Sequence, residues 1–231
     1  MRLTVSKKPA FLPLMLMLLF ASQAIAAEKI AVVVKLRGDV SVTRGKSFKS
    51  FQAKKGQILE DGDMLATGED SFCAIKFLDD KSLLRIREKS NCTIEGKREG
   101  RSIVKNVFAE VGAFFFSLFG QPKGFKTTTP TSVASVKGTK YWVIQLRSGE
   151  TRYICTDGVV EVRNQAGKVL LRKGQTALVA SRSRLPQVRL TKAGDIPTGS
   201  GGASAERELE FEFSDGSGQK KVLRLQLQNQ E

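Results

Sequence analysis

The chain has 231 residues, enough for one or two ordinary domains, and its 41% hydrophobic content can support a buried core. It contains no histidine, which removes the commonest general base and the commonest metal ligand. The net charge is +15, and such a charge attracts anionic partners. The basic residues are spread along the chain, however, so they also fit an ordinary solvated surface.

Residues 1–26 have the pattern of a secretory signal peptide. A basic start that includes Arg2 precedes an apolar run over residues 10–21, and a small-x-small site ends at Ala26. This pattern predicts Sec-type export with cleavage after Ala26. The alternative is an uncleaved membrane anchor, but the apolar run is short for a span and contains Pro13.

Several properties of the mature chain follow from that prediction. The targeting segment carries three basic residues and no acidic one, so the net charge falls only from +15 to +12. No later segment is long and apolar enough to cross a bilayer. We therefore expect a periplasmic or secreted protein whose partner is another protein or an anionic envelope polymer rather than nucleic acid.

Period-two alternation between glycine-containing turns runs through most of the mature chain and predicts an all-β fold. Residues 72–78 and 83–87 alternate on either side of a short polar turn, which indicates a hairpin. Residues 103–110 fit either a strand or a helix. Residues 113–119, AFFFSLF, are predicted to form a buried strand; if exposed, they would be a partner or lipid site.

The stretch 130–144, PTSVASVKGTKYWVI, is the centre of the pattern. Its alternation is interrupted by the motif Val136-Lys137-Gly138-Thr139. A glycine between two halves of a strand indicates a bulge, a sharp bend or a close approach of another backbone, or simply a turn between two strands. The stretch contains no acid–base pair and no metal ligand.

Two glycine-containing segments echo one another. Gly38 opens GDVSV and Gly56 lies in KGQ, while Gly158 opens GVVEV and Gly174 lies in a second KGQ. Such an echo fits a stack of short strands with turns at recurring intervals.

The last part of the chain divides into a linker and a hairpin. We assign residues 27–193 to the main domain, 194–205 to a Gly/Ser linker and 206–231 to a C-terminal β-hairpin. A lone hairpin is marginal in water, so its apolar face should dock on the main domain or on a partner. The predicted docking residues on that face are Leu209, Phe211, Phe213, Leu223, Leu225 and Leu227.

The cysteine and aspartate residues fit structural roles better than catalytic ones. Export favours disulfide formation, and Cys73 and Cys92 flank the predicted hairpin, so a bond between them is one candidate, with three small core residues as the alternative. A nucleophilic cysteine would need a base, and Cys155 has no histidine to serve it. The Asp61–Asp63 and Asp79-Asp80 pairs fit plain turns better than a calcium site or an acid pair.

The order of these motifs resembles the FecR-type domain of exported bacterial proteins. The resemblance covers roughly residues 30–180 and rests on GDVSV, GQ with DGD, FLDDKSLLRI, FKTTTP, VKGT, DGVVEV and KGQ. VKGT is similar to the family's Val-Arg-Gly-Thr. Asp80-Lys81 stands where the family usually has Asp-Gly, so this turn is atypical.

The resemblance implies a short-stranded twisted sheet or β-solenoid-like domain in the periplasm. It also implies a regulatory role, since the best-known members relay a signal to a sigma factor through a cytoplasmic segment, which a cleaved signal peptide would not leave here. We therefore expect a non-enzymatic, cofactor-free binding module that pairs with a protein or an anionic polymer. Envelope signalling is one role that such a module could have. One alternative is a self-associating structural component whose hairpin swaps between protomers. Another is an enzyme acting on envelope glycans, but the sequence shows no pair of carboxylates for that reaction.

Overall fold

The structure is a computed structural model that describes residues 27–119, 124–136 and 138–197, together with the backbone of two strands at 208–214 and 220–226. The predicted signal peptide, Lys137 and Leu227 lie outside the described residues. No helix in the described ranges is long and apolar enough to cross a membrane.

Nearly all regular structure in the described ranges is strand, apart from a 3-10 turn at Ala193–Asp195. The strands up to the middle of the chain are β1 (Lys29–Arg37), β2 (Val40–Thr43), β3 (Ser50–Gln52), β4 (Ile58–Glu60), β5 (Asp63–Thr67), β6 (Phe72–Phe77), β7 (Leu83–Ile86), β8 (Ser90–Glu99) and β9 (Ser102–Ser117). They are followed by β10 (Lys126–Thr128), β11 (Val133–Val136), β12 (Lys140–Gln145), β13 (Thr151–Asp157), β14 (Val159–Asn164), β15 (Gly167–Arg172), β16 (Gln175–Val179), β17 (Gln187–Leu190), β18 (Glu208–Ser214) and β19 (Lys220–Gln226).

Strands β1 to β17 form one open sheet that folds over into two facing layers. Layer A has the strand order β4-β1-β6-β7-β9-β12-β13-β16-β17. Layer B has the order β3-β2-β5-β8-β9-β10-β11-β14-β15. The strand pairs are antiparallel except β9 with β10, which is parallel. The all-β prediction is confirmed, in the form of a sheet.

The long strand β9 belongs to both layers because it bends near Gly112. Its first part pairs with β8 and β10 in layer B, and its last part pairs with β7 and β12 in layer A. Gly112 has φ +116°, and a Cβ there would lie 2.1 Å from Ser90 Oγ. No larger residue fits this crossing without displacing Ser90. Residues 103–110, left open between strand and helix, are therefore strand.

The hydrophobic core lies between the layers, because alternate residues of every long strand point inward. Tyr141 and Val143 of β12 face the core, as do Phe114 and Phe116 of the strand beside it. Rings from both layers meet there: Phe125, just before β10, makes an edge-to-face contact with Phe116 at 5.8 Å.

The echo in the sequence corresponds to a repeated structural unit. In each copy a layer A strand leads to two paired layer B strands and back to a layer A strand that pairs with the first, as β1 to β4 and as β13 to β16. The return turn is also the same. Gly56 N donates to Val33 O at 2.8 Å, and Gly174 N donates to Cys155 O at 2.9 Å. The two copies form opposite parts of the domain, outside the central β9.

Some boundaries differ from the sequence prediction. Strand β8 begins at Ser90 and runs to Glu99, so it includes the charged residues 97–99, which show no alternation of apolar and polar residues. Strands β3 and β17 were missed because their exposed residues carry little alternation. In the short strand β4 only Leu59 is fully buried, and Ile58 is partly exposed although it is equally apolar.

The predicted C-terminal hairpin is present as β18 paired antiparallel with β19. Its register places Leu209 opposite Leu225, and Phe211 opposite Leu223, on one face. The other face has Glu210 opposite Arg224. Whether the first face docks anywhere stays a prediction.

Candidate binding surface

A broad groove of about 940 Å³ lies on the outer face of layer B. Its floor crosses β8, β9, β10, β11 and β14, the middle of the layer. The side chains that line it on these strands are Glu95, Lys97, Arg98, Val104, Asn106, Lys126, Thr128, Val133 and Arg163.

Strand pairing brings these side chains together although they are far apart in the sequence. Glu95 lies opposite Asn106, which lies opposite Lys126 in the parallel pair. Val133 lies opposite Arg163. Residues directly opposite one another share a face of the sheet, so a segment of about seventy residues contributes to one surface.

The acidic groups of the groove are already engaged. Glu28 accepts a hydrogen bond from Arg98 Nε at 2.6 Å, and Asp61 accepts one from Gly96 N at 2.9 Å. Glu95 accepts one from the Asn106 amide at 2.8 Å. The negative charge in the groove is thus partly neutralised by groups of the groove itself.

Three cations of the groove remain available. Lys97, Lys126 and Arg163 are exposed, and none of their side chains makes a hydrogen bond or ion pair with another described residue. Beside them, Thr128 Oγ1 donates to Asn106 Oδ1 at 2.8 Å, which holds the amide in place. The arrangement can bind anionic groups through the cations and hydroxyl-rich groups through Asn106 and Thr128. Sequence analysis missed it because alternation alone does not give the register that aligns these residues.

Asp79 and Asp80 form a structural ion cluster instead of a calcium site. Both carboxylates hold the buried Lys105 Nζ, at 2.7 Å and 2.6 Å, and Asp79 also accepts a hydrogen bond from Ile103 N at 2.8 Å. Lys105 belongs to β9 and the aspartates to the β6–β7 turn of layer A, so the cluster ties the two layers together. Sequence analysis missed Lys105 because a lysine at a core position looks like an ordinary surface charge.

The turn at Asp61-Gly62-Asp63 is also structural. Asp63 is 1% exposed and accepts hydrogen bonds from Glu60 N at 2.8 Å and from Arg44. Burial raises the pKa of Asp63, and the hydrogen bond from Glu60 N and the charge of Arg44 oppose that rise. No group of three or more acidic or cysteine side chains in the described ranges could hold a metal ion.

The motif Val136-Lys137-Gly138-Thr139 is where the chain passes from β11 in layer B to β12 in layer A. Val136 is buried, and Thr139 Oγ1 donates to Val159 O at 3.0 Å. A Cβ on Gly158 would lie 2.8 Å from Gly138 O. The motif is thus a sharp bend at which another backbone approaches closely, as two of the sequence alternatives proposed.

The hydroxyl groups near this motif form a buried network. Tyr153 Oη bonds Ser132 Oγ at 2.9 Å, and Tyr141 Oη bonds Thr127 Oγ1 at 2.7 Å. Burial raises the pKa of Tyr153 to about 12, against two hydrogen bonds that lower it. These contacts join the layers and satisfy polar groups that would otherwise be buried unpaired.

All three cysteines are buried free thiols in the structure. Cys73 lies on β6 in layer A and Cys92 on β8 in layer B, so their strands do not pair with one another. Both residues face the shared core. Burial raises the pKa of Cys73 to about 12 and that of Cys155 to about 11. The bond between Cys73 and Cys92 stays a prediction.

The described ranges thus form a two-layered, almost wholly antiparallel β-domain with an open polar groove on one outer face. Residues 63–161 match the family model described as FecR protein. The match confirms, over these residues, the resemblance to the FecR-type domain that the motifs indicated. The match runs from β5 to β14 and includes most of the groove.

Two solved structures of a "putative anti-sigma factor" from Parabacteroides distasonis ATCC 8503, at 1.65 and 2.50 Å resolution, are similar to the chain. Each has 16% sequence identity and a TM-score of 0.48. The similarity covers 56% of this chain and 60% of the solved one, which is less than two thirds of that structure. A search of curated proteins gives no match.

Proposed function

We propose that this chain is an exported, non-enzymatic FecR-type binding module that holds an anionic envelope polymer in the groove of layer B. The observation that carries the proposal is the convergence of Lys97, Lys126 and Arg163, three exposed cations without a described partner, on one groove. A regulatory FecR domain in the envelope would then report on, or attach to, that polymer.

The shape of the groove favours a polymer over a small anion. The groove crosses five adjacent strands, whose spacing of about 4.8 Å gives a length of roughly 19 Å. A small anion needs a closed pocket with several converging donors, whereas these cations are separated along an open floor. An acidic polysaccharide offers charges at intervals together with hydroxyl groups that Asn106 and Thr128 can bind.

The test compares binding of the chain from residue 27 to polygalacturonic acid and to neutral dextran by titration calorimetry. Exposed charge pairs contribute about 0.2–1 kcal/mol each, so we expect Lys97→Gln/Lys126→Gln/Arg163→Gln to weaken polygalacturonate binding roughly tenfold. The matched control is Lys54→Gln/Lys55→Gln/Lys173→Gln, which removes three exposed charges from turns outside the groove.

Equal losses in the two triple variants would mean that net charge, not the groove, governs binding, and would refute the proposal. Wild-type chain that binds neither polysaccharide but captures an acidic protein through the same three residues would assign the groove to a protein partner instead.

A further inference from the structure

The outer face of layer A carries an apolar row that is covered by another part of the chain. One residue from each of six neighbouring strands lies in this row, as strand pairing shows. We call it the Trp142 row; its members in order are Arg85, Phe115, Trp142, Ile154, Thr176 and Arg189.

The centre of the Trp142 row is buried although it faces away from the core. Phe115, Trp142 and Ile154 are 3%, 1% and 0% exposed and form a cluster separate from the main core. The Phe115 and Trp142 rings lie 5.0 Å apart, and Arg85 lies over the Phe115 ring at 5.5 Å. A sheet face without a cover would leave these side chains in water, so the cover determines their burial.

Residues 191–196, which we call the strap, help to cover the row with a single aliphatic side chain, Ile196. The strap is fixed mainly by Asp195, whose carboxylate accepts two hydrogen bonds from Arg189 at 2.6 Å each and one from Lys192 N at 2.7 Å. The strap therefore gives the row one apolar contact, through Ile196, and one ion pair, between Asp195 and Arg189.

Strand β18 alternates the apolar residues Leu209, Phe211 and Phe213 with glutamates. The register places its apolar residues on one face with Leu223 and Leu225. An isolated hairpin of this kind is marginal and needs a surface to cover its apolar face. Six strands span about 24 Å across the row, and seven extended residues span about 23 Å, so β18 has the length to cover it.

We propose that the Trp142 row is a docking surface for the C-terminal hairpin of a second copy of this chain, and that the strap fills it in the single chain. When two copies exchange their hairpins, the apolar face of each hairpin covers the Trp142 row of the other copy, and the two contacts form one symmetric interface. This proposal concerns layer A and self-association, and it is independent of polymer binding in layer B.

Trp142 is the chain's single tryptophan, so its fluorescence reports directly on the cover. The experiment uses the chain from residue 27 and follows emission and light-scattering mass against concentration. Asp195→Asn removes the charge that holds the strap. We expect its Trp142 emission to shift to the red at low concentration, then to return to the blue as the mass doubles.

Two further variants complete the test. Adding Phe211→Asp to Asp195→Asn should keep the emission red and the chain monomeric at every concentration, because the docking face is lost. Glu161→Gln is the matched control, since it removes an exposed ion pair with Lys168 on layer B; it should behave as the wild type. Circular dichroism shows whether each variant folds. If Asp195→Asn does not fold, Ile196→Ser is used in its place to weaken the strap.

Three results would overturn the proposal. Emission that stays blue in both strap variants would show that the strap does not cover Trp142. A red shift that never reverses with concentration would show that no second copy docks. Emission that is blue at every concentration in monomeric Asp195→Asn, and red once Phe211→Asp is added, would place the hairpin on its own chain.

Discussion

The two outer faces of this domain follow the same alternation but differ in how they are used. The outer face of layer B is polar and open, with exposed Lys97, Lys126 and Arg163 in its groove. The outer face of layer A is apolar at its centre, where Ile144 and the strap residue Ile196 pack against a cluster in which Trp142 is 1% exposed. The difference teaches that a strand's outward residues are determined by what covers them as much as by the strand itself.

The largest effect that would sharpen this comparison is on stability. Trp142→Ala removes a buried ring beside Phe115, and we expect it to lower the free energy of unfolding by about 3–5 kcal/mol. Phe108→Ala removes a ring of the same class from β9 in layer B, where it is only half-buried, and should cost about 1 kcal/mol. Urea unfolding measures both; equal losses would contradict the contrast between the faces.

Part of this organisation was predictable from the sequence. Alternation correctly separated Ala134 and Val136, which are buried, from Val133 and Ser135, which are not. It also located the bend at Gly138, because a glycine that breaks a period of two carries its own signal.

The candidate surfaces were not predictable, and the reasons are physical. The groove depends on the register that places Lys126 opposite Asn106, and register is set by long-range pairing. Ile196 packs against the Trp142 cluster although it lies in residues 194–205, which composition assigns to a Gly/Ser linker. Lys105 is buried because Asp79 and Asp80 come from another layer to meet it.

The next prediction is that ionic strength affects binding at the two outer faces differently. Raising the salt from about 0.05 M to about 0.5 M shortens the screening length severalfold, so polygalacturonate binding in the layer B groove should weaken roughly tenfold. Association through the Trp142 row buries apolar surface and should persist or strengthen. Titration calorimetry and light scattering across the salt series measure the two; a parallel decline would mean that both faces bind by charge.

A smaller effect concerns pH and is confined to layer A. The guanidinium of Arg189 lowers the pKa of Asp195 from 3.8 to about 2, with help from Lys192 N. The lowered pKa means that the Asp195 charge stabilises the strap fully above pH 3.8, and that this contribution is lost as the pH falls through about 2. Trp142 emission should shift to the red over that window before the far-ultraviolet circular dichroism changes.

In Asp195→Asn that acid transition should be absent, because the variant has no carboxyl to titrate at the strap. Emission that follows global unfolding in both proteins would instead show that the strap and the domain are one cooperative unit.

The smallest expected effect lies in the β6–β7 turn at the margin of layer A. Lys81 has φ +61°, a left-handed conformation that costs a residue with a side chain about 1–2 kcal/mol. Lys81→Gly removes that strain but adds about 0.5–1 kcal/mol of conformational entropy to the unfolded chain, so we expect a net stabilisation of at most about 1 kcal/mol. Lys55→Gly, in an exposed turn with ordinary φ, should destabilise in the same urea experiment. A loss of stability in Lys81→Gly would show that the lysine side chain itself holds this turn, and that its departure from the family's Asp-Gly is compensated locally.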